Sequence, residues 1–266
     1  PLSALCAALV ASCAVVPGAP SSVGVAPAQG QPWSARLPDP VSAGTTFESP
    51  VIETNLEAHV IHQTLPDDSI FGGGDFNVYA LQARYALNER WALIATKDGY
   101  IDFNPDLGTE ESGWADVAFG VKAVALANSD SGLIVTPGLI FETTIGDEEV
   151  FQGNGDGLLR PFVSAGWDLE RLNLIGSLGY NQPLDGDAES SSLDYHVHAS
   201  YEVTPSLLPL VEVNGITYTS NGKALPVNFE GGDLINLGAN DVDGNTVISG
   251  AVGAAYRIGD SAQLGL

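Results

Sequence analysis

The sequence predicts an all-β fold, an antiparallel up-and-down transmembrane β-barrel of twelve strands with the last strand or so missing. Two observations carry this. The first is a rhythm of connections. Asn88-Glu89-Arg90, Asn128 to Ser131, Leu169-Glu170-Arg171, Thr204-Pro205-Ser206 and Gly259-Asp260-Ser261 are tight, whereas Leu65 to Asp75, Asn104 to Glu111, Asp147 to Gly157, Asp185 to Ser191 and Ser220 to Gly244 are long and rich in acid. Short turns at one end and long loops at the other are the pattern of an outer-membrane barrel with periplasmic turns and extracellular loops. The second is a strict alternation of apolar and polar residues between them, which puts the two kinds of side chain on opposite faces of a strand.

The elements follow in order. Val51 to Thr64 alternates Leu56, Ala58 and Val60 with Glu57, His59 and Ile61. Phe76 to Leu87 sets Tyr79, Leu81, Ala83, Tyr85 and Leu87 against Gln82 and Arg84. Trp91 to Phe103 is the third strand, ambiguous in register around Lys97-Asp98. Gly113 to Ala127 places Val117, Phe119, Val121, Ala123 and Ala125 outside, with Asp116, Gly120 and Lys122 inside. Gly132 to Ile145 brings Thr136, Gly138 and Glu142 inside; Leu158 to Asp168 brings Arg160, Ser164 and Asp168. Leu172 to Asn181 adds Asn173, Ser177 and Asn181. Leu193 to Val203 alternates most cleanly, with Asp194, His196, His198, Ser200 and Glu202 on its polar face. Leu207 to Tyr218 contributes Glu212 and Asn214, and Thr246 to Ile258 contributes Ser249, Gly253 and Arg257. An eleventh strand starts at Ala262. An even strand number is expected of a single-chain bacterial barrel, so a twelfth strand is expected beyond it.

Composition bounds the function. Apolar residues make up 44% of the 266 residues, and no apolar run after the N-terminus is long enough for a spanning helix. A formal net charge of -24 argues against nucleic acid and against an anionic inner leaflet as partner. The soluble alternative is a sandwich whose polar face meets water. A secretory signal, the loop asymmetry and aromatic residues near strand ends favour lipid.

Residues 1–28 read as a signal-like segment clipped at its basic start, with Leu2 to Val16 as the apolar stretch and Pro17-Gly18-Ala19-Pro20 after it. Both cysteines, Cys6 and Cys13, lie there. Val10-Ala11-Ser12-Cys13 also resembles a lipobox, which would make Cys13 a lipidated residue, although chance accounts for it more simply. Residues 29–49 read as a flexible periplasmic lead-in, and 50–266 as the barrel.

Several segments carry a resemblance. They are Gly74 to Gln82 with Arg84 to Leu87, Ala92 to Asp102, Gly113 to Asp116, Thr136-Pro137-Gly138, Phe151 to Gly157, Ser191 to His198 and Asp233 to Gly238. Together they resemble a family of bacterial outer-membrane proteins related to the group labelled "MetA-pathway of phenol degradation" transporters, over about Pro50 to Leu266. The resemblance implies a barrel that moves small compounds, aromatic or hydrophobic ones among them, and carries over no catalytic residue. The chain departs from it by lacking a closing strand.

The expected lumen lining is Gln82, Arg84, Asp116, Lys122, Glu142, Arg160, Asp168, Asp194, His196, His198, Glu202, Glu212, Asn214 and Arg257. Both signs are present, which suits either cross-lumen ion pairs or a selectivity lining, and the excess of acid predicts a preference for cations or neutral solutes. His196 and His198 share a face and are weak metal candidates; a hydrated polar lumen is the plainer reading. Asp241-Val242-Asp243-Gly244-Asn245 lacks the distant bidentate glutamate of a calcium loop. Gly72-Gly73-Gly74 and Asn154 to Gly157 lack the helix and lysine of a phosphate loop. No serine is coupled to a histidine in an evident way, so no enzyme and no cofactor is expected. The expectation is an outer-membrane channel or uptake porin for small solutes, with a barrel lipase or deacylase, or a structural or adhesive barrel with an ion-paired lumen, as alternatives. Lipid and a permeant are the expected partners, with divalent cations at the acidic loops. Ser220 to Gly244 carries Leu225, Pro226, Val227, Phe229, Leu234, Ile235 and Leu237, and is expected to pack into the upper lumen.

Overall fold

The computed structural model describes residues 33–65, 67, 69–258 and 262–266, together with the backbone of 9–15. The expected cleavage zone, Cys6, the turn Gly259-Asp260-Ser261 and the side chain of Cys13 lie outside the described residues. The chain forms an all-β, antiparallel, up-and-down sheet with almost no helix.

The strands are β1 (Leu9–Val15), β2 (Asn55–Thr64), β3 (Gly74–Ala86), β4 (Trp91–Lys97), β5 (Tyr100–Pro105), β6 (Glu111–Trp114), β7 (Ala118–Ala123), β8 (Leu126–Asn128), β9 (Leu133–Glu142), β10 (Leu158–Leu169), β11 (Leu172–Pro183), β12 (Ser192–Tyr201), β13 (Leu207–Tyr218), β14 (Thr246–Ile258) and β15 (Ala262–Gly265). Fourteen of these fifteen form one hydrogen-bonded order, and β8 pairs onto β9. Neighbours from β9 to β14 pair over nearly their whole length, as period-two segments with tight turns should.

Two expected strands are interrupted. The third is divided into β4 and β5 by Asp98-Gly99, and the fourth into β6, β7 and β8. Gly99 has φ +122°, and a Cβ there would meet the carbonyl oxygen of Tyr79 at 2.6 Å, so the kink requires glycine. Both β4 and β5 still pair with β3, which makes the interruption a bulge rather than a crossover. At the other margin, β1 pairs with β15 and with β2, while β14 above Ala254 pairs with β13 alone. The sheet therefore does not close along its full height among the described residues.

One face is polar and buried, the other apolar and exposed. β12 shows the rule: Asp194, His196, His198 and Ser200 are buried, while Val197 and Tyr201 are exposed. The sheet curls about this polar face, because the single residue Glu48 contacts β3, β7 and β10 at once.

Residues 33–54 fill the concavity, in place of the flexible lead-in expected for residues 29–49. Ser34–Arg36 is a short 3-10 turn at the tight-turn end, near Asp168 and Glu170. The chain rises to Thr45, whose hydroxyl donates to the Asp233 carbonyl at 2.8 Å among the long loops. It turns there, with Ala43 at φ 52° and its carbonyl accepting from Thr46 and Phe47, then descends to β2. The physical reason is that Leu37, Val41, Phe47, Val51 and Ile52 have apolar surface to bury, and Pro-rich spacing keeps their backbone extended. We call this hairpin the plug.

Candidate functional site: the plugged interior

The plug's backbone would be expensive to bury unless its polar groups found partners, since a strand-like insert has no ladder of its own. Inward side chains of the wall supply them. Gln82 donates to the Gly44 carbonyl at 2.8 Å, Arg160 to Thr46 at 2.6 Å, Ser164 to Glu48 at 2.6 Å, Lys122 to Ser49 at 2.8 Å and Thr136 to Pro50 at 2.7 Å. Glu212 accepts from the backbone N–H groups of Val41 at 2.9 Å and Ser42 at 2.7 Å. Arg257 donates to the Arg36 carbonyl at 2.5 Å. Gln82, Lys122, Arg160, Glu212 and Arg257 are among the expected lumen residues, and they face inward onto the plug's backbone.

The plug returns one charge. The Glu48 carboxylate meets Arg84 Nη2 at 2.8 Å and Lys122 Nζ at 2.7 Å, all three being buried. Arg84 also reaches Glu57 at 2.5 Å. Two cations and two carboxylates thus pair with one another away from water, with the His59 ring 3.3 Å from Glu57 beside them.

The remaining expected residues divide into local groups. Asp194 accepts from Arg160 at 3.1 Å and lies 3.0 Å from His196, whose other ring nitrogen is 2.9 Å from Asn214. Phe47 of the plug stacks on the His196 ring, centroids 5.0 Å apart. His198 Nδ1 lies 2.7 Å from Glu212. The two histidines are therefore held by different partners, and no group of three or more metal-type ligands occurs among the described residues. Ser200 is buried on the same face, and its hydroxyl has no hydrogen-bond partner, so it is not coupled to His198 as nucleophile to base. Glu202 pairs with Arg257 at 3.3 Å and Asp168 with Arg36 at 3.6 Å, both at the tight-turn end. Asp116 does not join the others; it accepts from the backbone of Gly146 at 2.8 Å and Gly153 at 3.0 Å.

Near the long loops lies a small polar cavity of about 50 Å³, bounded by the plug tip, the wall and the Ser220 to Gly244 loop. Lys97 and Glu142 form an ion pair there. Glu189, on the loop between β11 and β12, is 7% exposed, and one of its carboxylate oxygens has no partner. Burial, with Glu142, Asp116 and Glu230 nearby, outweighs the opposing charge of Lys97 and pushes its carboxyl up to about 8. The long loop itself is docked: Leu234 and Ile235 pack on the cluster of Phe76, Val78, Ile101, Phe103, Ala115 and Val150. Glu230 accepts from Ala239 N at 2.8 Å within the loop and from the Ser190 hydroxyl of the β11–β12 connection at 2.6 Å.

Glu48, Phe47, Lys97, Glu189 and Glu230 were not singled out from the sequence. Nothing in the local pattern around Glu48 marks it, because its partners lie on β3, β7 and β10, far along the chain. No family model matches this chain, and no curated protein matches it in sequence.

Proposed function

We propose that the protein is an outer-membrane β-barrel for small solutes whose passage is stopped by its own plug, so that transport requires the plug to shift. The carrying observation is that the inward polar side chains contact the plug's backbone, a pattern suited to holding a removable peptide in a polar channel. A membrane setting is supported by the outer face, where Leu56, Tyr79, Tyr85, Phe119, Trp167, Val197, Tyr201 and Val213 are all exposed. A soluble monomer rarely shows so much contiguous apolar surface. Closure of the wall and the bacterial outer membrane belong to this same proposal. The resemblance to phenol-degradation transporters agrees with it and suggests small hydrophobic compounds among the solutes.

A locked plug tests the reading. Ser42 Oγ and Asn214 Nδ2 are 2.8 Å apart, so thiols placed at the two positions can be spanned by a short reducible bis-thiosulfonate cross-linker. With Cys6 and Cys13 replaced by serine, the Ser42→Cys/Asn214→Cys protein in proteoliposomes is expected to exclude small sugars when cross-linked and to admit them once a reductant has cleaved the linker. Equal swelling in both states, with the cross-link verified, would refute the gate. The extent of plug clamping favours a second reading, a structural barrel with a permanently filled interior; it predicts no swelling in either state.

A further inference from the structure

Three irregularities of the wall coincide on its outer face. The bulge at Asp98-Gly99 lies beside the break at Ala115–Val117, and β9 ends at Glu142, before the chain turns through Ile145 and Asp147. Together they leave a cleft of about 440 Å³, lined by Tyr79, Leu81, Asp98, Gly99, Trp114, Ala115, Val117, Ile145 and Asp147. That volume suits a small organic molecule.

Its chemistry is specific. Trp114 and Tyr79 offer exposed rings, and Trp114 is held edge-on by Tyr100 with centroids 5.3 Å apart. Leu81, Val117 and Ile145 make the rest apolar, while two carboxylates and no cation line the cleft. Each carboxylate uses one oxygen to accept a backbone N–H: Asp98 from Leu81 at 2.8 Å, and Asp147 from Trp114 at 2.7 Å. These bonds fix both acids in place. Two fixed negative charges in an apolar cleft disfavour an anion and gain nothing from a neutral hydrocarbon. A cationic head on an apolar body satisfies both parts, and the rings add a cation–π attraction.

We propose that this cleft is a binding site for small amphipathic amines, which reach it from the side of the wall and not along the plugged axis. The site rests on the membrane-barrel reading only for where such amines concentrate; binding itself needs the fold alone. Ala115 joins the cleft to the cluster beneath the long loop, so an occupant touches the outer side of the packing that holds that loop down.

The test is a fluorescence titration of the full chain in uncharged detergent micelles with naphthylmethylamine, naphthylmethanol and naphthylacetate. The amine is expected to bind about tenfold more tightly than the alcohol, and the acetate not at all. Asp98→Asn with Asp147→Asn keeps both acceptor oxygens and hence the fold; it should lower amine binding to the level of the alcohol. Val117→Trp, which fills the cleft, should abolish both. Equal binding of all three probes, or amine affinity unmoved by both variants, overturns the proposal. Because the readout is binding and not flux, a silent channel in the swelling assay leaves this result standing, and a failed titration leaves the channel reading untouched.

Discussion

Glu48 and Glu189 are both buried glutamates outside the strands, and their surroundings are opposite. Glu48 has two cations within 2.8 Å, whereas Glu189 has three acids and a single cation, Lys97, near it and a carboxylate oxygen without a partner. The first is a fastener that works only when charged. The second fits its place only when neutral. Burial is common to both, so it is the neighbours that decide which form of a carboxyl the fold selects.

The contrast can be broken hardest at Glu48. Glu48→Ala leaves Lys122 and part of the Arg84 guanidinium without their carboxylate in a dry interior, and should cost about 3–5 kcal/mol. Urea unfolding of the refolded protein in micelles measures it; a loss below about 1 kcal/mol would mean that water replaces the carboxylate freely.

Glu189 should respond to pH in the opposite sense from a fastener. Its folded value of about 8 lies above the ordinary value of 4.5, so the folded state holds the proton more tightly. The favourable state is complete below about pH 4.5, fades as pH rises, and is fully lost above about pH 8, at a cost of a few kcal/mol at most. Protease sensitivity of the Ser220 to Gly244 loop should therefore rise across that window in the native protein. In Glu189→Gln it should stay flat, and a parallel rise in the variant would remove Glu189 as the cause.

Smaller effects sharpen the same comparison. Phe47→Leu keeps apolar bulk but loses the stack on His196, for about 1 kcal/mol, read as a shift in the heat-modifiability midpoint. Lys223→Ala breaks a pair with Asp187 whose side chains are 72% and 68% exposed, and should change stability by under about 0.5 kcal/mol. A larger loss there would show that the loop is held by charge and not by Leu234 and Ile235.

The wall was legible in the sequence because period two writes burial directly onto alternate residues. The alternation from Leu193 to Val203 assigns each residue to its face by itself. The bulge was half legible: the register around Lys97-Asp98 was ambiguous because a bulge shifts the pattern by one residue. The plug was not legible. Its partners lie on strands far along the chain, with Glu48 about 36 to 116 residues from Arg84, Lys122 and Ser164, and it has no repeat of its own. A proline- and alanine-rich stretch reads the same whether it is solvated outside a barrel or gripped within one.

The plug enters and leaves by the same mouth, with Arg36 and Asn55 both at the tight-turn end and its turn at Ala43 to Phe47. Such a path is topologically trivial. The described hairpin could be drawn out doubled, like a bight of rope, without threading a free end along the concavity and without unpairing β2. Assembly has the same freedom in reverse: the wall can form first and the hairpin can be fed in afterwards.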